Sequence, residues 1–394
     1  MVNFSNKVKD LNGSAIRDLL SVIENDNMIS FAGGTPSPET FPKAEFAEIA
    51  TEILLEKGNI ALQYGATEGY APFMEQVRAR LKKQGIYKDG DGLLITCGGQ
   101  QGISLAAKIL LNEGDLAVCE NPSYVGGLNA FRQNGARLEG IDLLEDGINI
   151  DRLKSAEFAG MKLLYTIPTF QNPAGITMSE RKREQLLEAV RATDAYIIED
   201  NPYGELRFAG EEVPTIKQIA DRGKNNNVIY IGTFSKILSP GLRLGYVVAT
   251  PEIIDKMTVC KQADDVHTGM FSQVLASEYM SRYDIDAQIA KTRALYKEKY
   301  DIMQGAIAKF FPDSVQVTKP QGGLFLWVDG DLKADCNEIS RAAIAEGVAI
   351  VPGNAFMADI NAKTSAFRLN YSAPLKEQIQ VGIERLGRVL CKLS

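Results

Sequence analysis

The 394-residue chain is 45% hydrophobic and carries 43 basic against 50 acidic side chains, a formal charge of −7. That composition fits a globular protein with a core large enough to hold a buried site, and it argues against non-specific nucleic-acid binding, which needs a basic surface. The five cysteines (Cys97, Cys119, Cys260, Cys336 and Cys391) are scattered and form no C-x-x-C pair, so they read as reduced thiols rather than a disulfide framework. The opening MVNFSNKVKDLNGS has no apolar h-region, and no apolar run approaches a membrane span. A cytoplasmic protein is the expectation.

Residues 1–45 read as irregular, with the Gly/Pro-rich stretch FAGGTPSPETFP at 31–42 predicting a loop. From about residue 90 the pattern alternates. GLLITCG (92–98) predicts a strand, QQGISLAAKILLN (100–112) a helix, and DLAVCE (115–120) the next strand. KLLYTIP (162–168), AYIIED (195–200) and NVIYIGTFS (227–235) are further apolar runs with polar C-terminal ends, and RLGYVVA (243–249) follows closely. Continuous apolar strands alternating with helices predict a mostly parallel sheet covered on both faces. Ligands of such sheets sit at the carboxyl ends of the strands. Beyond about 250 the pattern turns helical, and AQIAKTRALYKEKYDIMQGAIAKFF (287–311) predicts one long helix bridging two domains. SVQVTKP, GLFLWVDG, VAIVPG and FRLNYS then alternate with helices, predicting a smaller α+β domain.

Several chemistries drop out. The single histidine, His267, rules out a His-Glu-x-x-His zinc site, and a lone histidine ordinarily reads as structural. No metal is expected. No G-x-G-x-x-G follows a strand, and the chain has no G-x-x-x-x-G-K-[ST]. The strand ends must serve something other than a dinucleotide or a P-loop nucleotide.

GTFSKILSPGLRLGY (232–246) sets Lys236 at the end of an apolar strand, where an ammonium is costly. AYIIEDNPY ends in Asp200 and Tyr203, YTIPTFQNPAG carries Asn172, and VCENPSY carries Tyr124. Alone, Asp200 could cap a helix, Asn172 form a turn, Tyr124 pack as a ring, and Arg243 make a surface ion pair. Together, at the ends of one sheet, they fit a ligand with four demands. An aldehyde needs an amine, which Lys236 supplies as a Schiff base. A pyridinium nitrogen needs the carboxylate of Asp200. A phenolate oxygen needs donors from Asn172 and Tyr203. A phosphate needs hydroxyls, a guanidinium and a helix N-terminus, supplied by Thr233, Ser235, Arg243 and the GGQQG turn with Gly98, Gly99 and Gln100. Tyr124 can stack on the ring. The ligand with these demands is pyridoxal 5′-phosphate, and a nitrogen in conjugated linkage to it is no plain ammonium.

With ISFAGGTPSPETFP, LQYGATEGY, PTFQNPAG, EDNPYGELRF, TFSKILSPGLRLGY and FRLNYS, the chain resembles the fold-type-I pyridoxal-phosphate aminotransferases of class I/II. It is most similar to the kynurenine/2-aminoadipate aminotransferase branch, from about residue 14 onward. The resemblance implies an aspartate-aminotransferase-like α/β fold: a large domain with a mostly parallel seven-stranded sheet between helices, and a smaller α+β C-terminal domain. It implies an N-terminal segment at 1–45 packing with the small domain, a large cofactor domain at 46–285 and a small domain at 286–394. Lys236, Asp200 and Tyr124 would be catalytic, with Lys236 also the general base at Cα. Arg368 would grip the substrate carboxylate beside Asn172, and Gly34 and Arg17 would line the side-chain pocket. Tyr64 would reach the phosphate of a neighbouring subunit, making the active unit a homodimer.

The phosphate turn departs from the family's usual Ser-Gly-Ser-Gln. Here it is Cys97-Gly98-Gly99-Gln100, so one hydroxyl donor is lost and slightly weaker cofactor retention is expected. The implied reaction is a ping-pong transamination from an aromatic, 2-aminoadipate-like or branched L-amino acid to a 2-oxo acid, with 2-oxoglutarate the expected acceptor. β-Elimination, decarboxylation and racemisation stay open, because which Cα bond breaks depends on its angle to the ring. An effector-binding regulator on the same fold is a further alternative. That reading needs an N-terminal helix-turn-helix, for which a resemblance beginning near residue 14 leaves no room.

Overall fold

A computed structural model of the protein describes residues 5, 7–8, 28–223 and 227–393. Its strands are β1 (Ile29–Ser30), β2 (Gly92–Thr96), β3 (Leu116–Asn121), β4 (Arg137–Leu144), β5 (Gly147–Ile148), β6 (Met161–Thr166) and β7 (Tyr196–Asp200), followed by β8 (Val228–Thr233), β9 (Gly245–Ala249), β10 (Val315–Val317), β11 (Phe325–Gly330), β12 (Val348–Ala349), β13 (Val351–Pro352) and β14 (Phe367–Asn370). The large sheet has the order β2-β9-β8-β7-β6-β3-β4-β5. The pairs from β4 through β3, β6 and β7 to β8 are parallel, and β9 is antiparallel to both of its neighbours. The chain between β8 and β9 is too short for a parallel crossover, which needs a dozen or more residues, so β9 must turn back.

The sheet has eight strands where seven were expected. The eighth, β5, is a two-residue strand paired antiparallel to the end of β4. Its tight reversal needs Gly147, whose φ is 119°. The edge strand β4 was not among the apolar runs read from the sequence. Of its residues only Ile141 is buried, so its charged side chains mask the strand pattern. By contrast β8 and β9 are buried along their whole length, because helices cover both faces. The helix Gly99–Leu110 packs its Ile103, Leu105, Ala106 and Ala107 inward. A Cβ on its Gly102 would stand 2.9 Å from Val247 Cγ2, so a glycine there lets the helix lie close on β8 and β9.

A second, antiparallel sheet has the order β10-β11-β14-β13. The N-terminal segment lies beside it: β1 pairs parallel with β12 in a separate two-stranded sheet, and the Asn370 N–H of β14 donates to Phe31 O at 2.8 Å. This wedges residues 29–34 against the small sheet, with Ala32 O beside Arg368 and Gly34 on the cavity at the strand ends. The run at 287–311 is one continuous helix, Ile285–Phe310, as its pattern predicted. Its buried Lys299 Nζ donates to Ser37 Oγ (3.1 Å), Glu39 Oε1 (2.7 Å) and Ser372 O (3.1 Å), tying the N-terminal segment and the turn after β14 to this helix. Among the described residues, no helix is long and apolar enough to cross a membrane.

Candidate active site

A cavity of about 490 Å³ opens at the carboxyl ends of the parallel strands, where the sheet topology directs ligands. Gly34, Gly99, Gln100, Tyr124, Asn172 and Asp200 line it, as do Tyr203, Thr233, Ser235, Lys236, Arg243 and Arg368. Two roomier clefts of about 910 and 720 Å³ include none of these residues.

Asp200 ends β7 and is buried. Its Oδ2 accepts a hydrogen bond from the Tyr165 hydroxyl at 2.7 Å. Burial pushes the carboxyl up to about 7, with the Tyr165 bond working in the opposite direction. Lys236 follows β8, and its Nζ donates to Gly34 O at 2.7 Å. Burial brings its ammonium down to about 8, and the cations Arg368 and Arg243 add to the effect. The cost of a buried ammonium thus appears as a nitrogen that gives up its proton readily.

Arg368 stands on β14, buried, between the rings of Phe325 (4.1 Å from Cζ to centroid) and Phe356 (4.9 Å). Its Nη1 donates to Asn172 Oδ1 at 2.9 Å and its Nη2 to Ala32 O at 2.7 Å, while its buried Nε has no partner. Among the described residues it forms no ion pair, so this is not the surface pair that a lone arginine suggests. Burial brings it down to about 10, still a cation at neutral pH. Asn172 Nδ2 lies 3.4 Å from the Tyr203 hydroxyl. The loop that carries Asn172 is anchored through Gln171 Nε2, which donates to Glu120 Oε2 (3.1 Å) and Pro122 O (2.8 Å).

The opposite end of the cavity is built for an anion. Thr233 Oγ1 accepts from the Ser235 N–H at 3.1 Å and lies 3.0 Å from Leu244 O. The N-terminus of helix Gly99–Leu110 supplies unpaired first-turn N–H groups. Gly98 caps that helix with φ 74°, and a Cβ there would meet Arg243 Nη2 at 2.6 Å, so both the backbone and the approaching guanidinium require glycine. Arg243 itself adopts φ 53° and donates from Nη2 to Cys97 O at 3.2 Å. Gln100 Nε2 donates to Gly126 O at 2.8 Å. Tyr124 caps the next helix, Val125–Gln133, and burial raises its phenol.

Two expected site residues are not gathered here. Tyr64 is 80% exposed and packs edge-on against His267 at 5.7 Å, outside the cavity. Arg17 lies outside the described residues. The sequence reading missed Tyr165, the Phe325 and Phe356 pair, Ala32 O and Glu120. Tyr165 left one signal, a phenol inside an apolar strand, since a buried tyrosine hydroxyl needs a partner.

The residues present fit pyridoxal 5′-phosphate. The donor set pairs an easily deprotonated amine with a buried carboxylate and an anion-binding turn, and the buried Arg368 Nε is left without a partner beside them.

The sequence matches the family model for aminotransferase class I and II over residues 26–386. It is 41% identical to aromatic-amino-acid aminotransferase 1 of Thermococcus litoralis, covering 98% of this chain and 94% of that one. It is 38% identical to 2-aminoadipate transaminase of Thermus thermophilus, covering 96% and 94%. Among solved structures, the kynurenine aminotransferase of Pyrococcus horikoshii in complex with PMP superposes with a TM-score of 0.93 at 38% identity, covering 99% and 97%.

Proposed function

The chain belongs to the class I and II aminotransferases, and from that premise we propose that it holds pyridoxal 5′-phosphate and moves the amino group of an aromatic, 2-aminoadipate-like or branched L-amino acid to a 2-oxo acid, with 2-oxoglutarate as acceptor. That it is a transaminase follows from the family and from full-length relatives that are transaminases; these do not favour the rival lyase, decarboxylase, racemase or regulator readings. The observation that carries the cofactor assignment is the meeting of half-buried Lys236 with buried Asp200 and Arg368 on one cavity.

When bound, pyridoxal 5′-phosphate supplies an aldehyde to take up the amino group and a protonated ring to draw electrons from Cα. Lys236 Nζ would supply the amine for that aldehyde and, once released, take the proton from substrate Cα. Asp200 Oδ1 would hold the proton on the ring nitrogen. Asn172 and Tyr203 would serve the phenolic oxygen, and Tyr124 would lie against the ring. Thr233, Ser235, Arg243 and the first turn at Gly99 and Gln100 would hold the phosphate. Arg368 would grip the substrate carboxylate through Nε and a spare Nη hydrogen, with Asn172 and the flanking rings fixing its plane. Holding the amino group on the protein between two half-reactions gives ping-pong kinetics.

We further propose a cytoplasmic homodimer acting in amino-acid metabolism. Within ten residues, Leu55 (81% exposed), Leu62 (73%) and Tyr64 (80%) leave large apolar side chains in solvent. Tyr64 packs on His267, and nearby Asp265 accepts from Gln101 Nε2, beside the anion-binding turn. A second copy covering these side chains would bring its Tyr64 toward the phosphate end, where Arg243 remains exposed.

The test is a half-reaction. Purified protein carrying a visible cofactor band is mixed, without acceptor, with L-phenylalanine, L-2-aminoadipate or L-leucine. Conversion of the band with stoichiometric release of the matching 2-oxo acid is expected, and the fastest donor names the substrate class. A bound chromophore that none of the three converts would refute the donor assignment. No chromophore even after adding pyridoxal phosphate would refute the reading of Lys236.

A further inference from the structure

Tyr165 is fully buried on β6, in register with Ile198 of the neighbouring β7, so its ring can reach along the sheet to Asp200 two residues further on. Its hydroxyl donates to Asp200 Oδ2 at 2.7 Å. The other carboxylate oxygen, Oδ1, lies 3.9 Å from the position a Cβ would take on Gly99, a cavity-lining residue. One oxygen is thus tied back into the sheet and the other faces the cavity.

The ring that makes this contact is held from two sides. Phe131 meets it edge-on, with centroids 5.4 Å apart. Gly127, on the helix that starts just after Tyr124, leaves the room: a Cβ there would stand 2.7 Å from Tyr165 Cε1 and 3.1 Å from its hydroxyl oxygen. Burial and the nearby Asp200 raise the phenol well above its ordinary value, so it stays a donor wherever the protein works. Glu120, Lys236, Tyr124 and Tyr203 are the other titratable groups that interact with Asp200.

We propose that Tyr165 is a positioning residue for the transamination: its hydroxyl fixes the Asp200 carboxylate so that Oδ1 alone is presented to the cofactor's ring nitrogen. A carboxylate without that bond can turn about its last torsion, which is broad and roughly two-fold, and shares its contact between orientations. The inference rests on the assignment of Asp200 to the ring nitrogen.

The experiment is equilibrium dialysis of the holoenzyme and of Tyr165→Phe, with steady-state kinetics on the same preparations. Loss of one hydrogen bond to a charged group should weaken cofactor retention and lower kcat by about tenfold each. The amino-donor KM should stay within about twofold, because Arg368 and Asn172 are untouched. In an Asp200→Asn background the tyrosine substitution should add less than about twofold, since a residue acting through Asp200 has little left to act on. Gly127→Ala is the second variant; it presses on the tyrosine ring without removing a hydrogen-bonding group and should reproduce the same pattern. Wild-type retention in folded Tyr165→Phe, or a full additional loss in the Asp200→Asn background, would overturn the inference while leaving the cofactor assignment standing. A wild-type protein that takes up no pyridoxal phosphate would overturn that assignment, and this inference with it.

Discussion

Asp200→Asn should stabilise the cofactor-free protein while disabling the enzyme. The carboxyl is buried, and burial moves it from an ordinary 3.8 to about 7. A carboxyl whose folded-state value lies above its unfolded one contributes stability only while protonated. That contribution is complete below about pH 4 and is lost as pH rises through about 7. Roughly three powers of ten in proton affinity, at about 1.4 kcal/mol each, set a ceiling of about 4 kcal/mol on what the ionised group costs the fold at pH 8. Asparagine keeps the shape and an oxygen for Tyr165 to donate to, and it carries no charge. Thermal unfolding of cofactor-free protein at several pH values is the assay. For a chain of this length the variant should melt roughly 3–5 °C above wild type at pH 8. The gap should close steadily from pH 7 down to 4. Transamination should fall by about a hundredfold or more, because the charge that holds the ring proton is gone. Equal or lower melting of the variant above pH 7, or a gap independent of pH, would refute the argument that Asp200 is a buried charge kept for function at the expense of stability.

Lys236 should capture pyridoxal phosphate as a neutral amine, so uptake by cofactor-free protein should accelerate with pH around a midpoint near 8; stopped-flow absorbance showing a midpoint near 10 would contradict this. Lys236→Ala should lose turnover by about two to four orders of magnitude, and near-normal activity would sink the assignment. Arg368→Lys loses the planar fork and should raise the amino-donor KM by about ten- to a hundredfold with little change in kcat; an unchanged KM would remove Arg368 from the substrate. Gly99→Ser is sterically open, since its Cβ would meet nothing nearer than Ile231 Cγ2 at 3.6 Å. The added hydroxyl should tighten cofactor retention about fivefold, and a titration showing no tightening would count against Gly99 in the anion turn.

Arg368 shows where the sequence stopped being legible. FRLNYS reads as a strand, and resemblance alone suggests a carboxylate grip. The contacts that make it a grip come from Asn172, Ala32, Phe325 and Phe356, which no local spacing links. Tyr165 sits inside the apolar run KLLYTIP, and its bond to Asp200 exists because β6 and β7 are neighbours. Strand β4 escaped notice because an edge strand buries too little to leave a continuous apolar run.

What the sequence determined by itself was local: the buried strands β3, β6, β7, β8 and β9, the long helix Ile285–Phe310, and the chemistry at the strand ends, with Lys236, Asp200, Asn172 and Arg243 next to turn residues. Burial on both faces writes itself into consecutive residues, and a ligand site at strand ends lies just after each run. The tertiary structure alone decided the strand order, the wedging of residues 29–34 beside Arg368, and the proton affinities of Asp200 and Lys236. These depend on which distant segments come together and how much water they exclude, and neither is carried by the spacing of neighbouring residues.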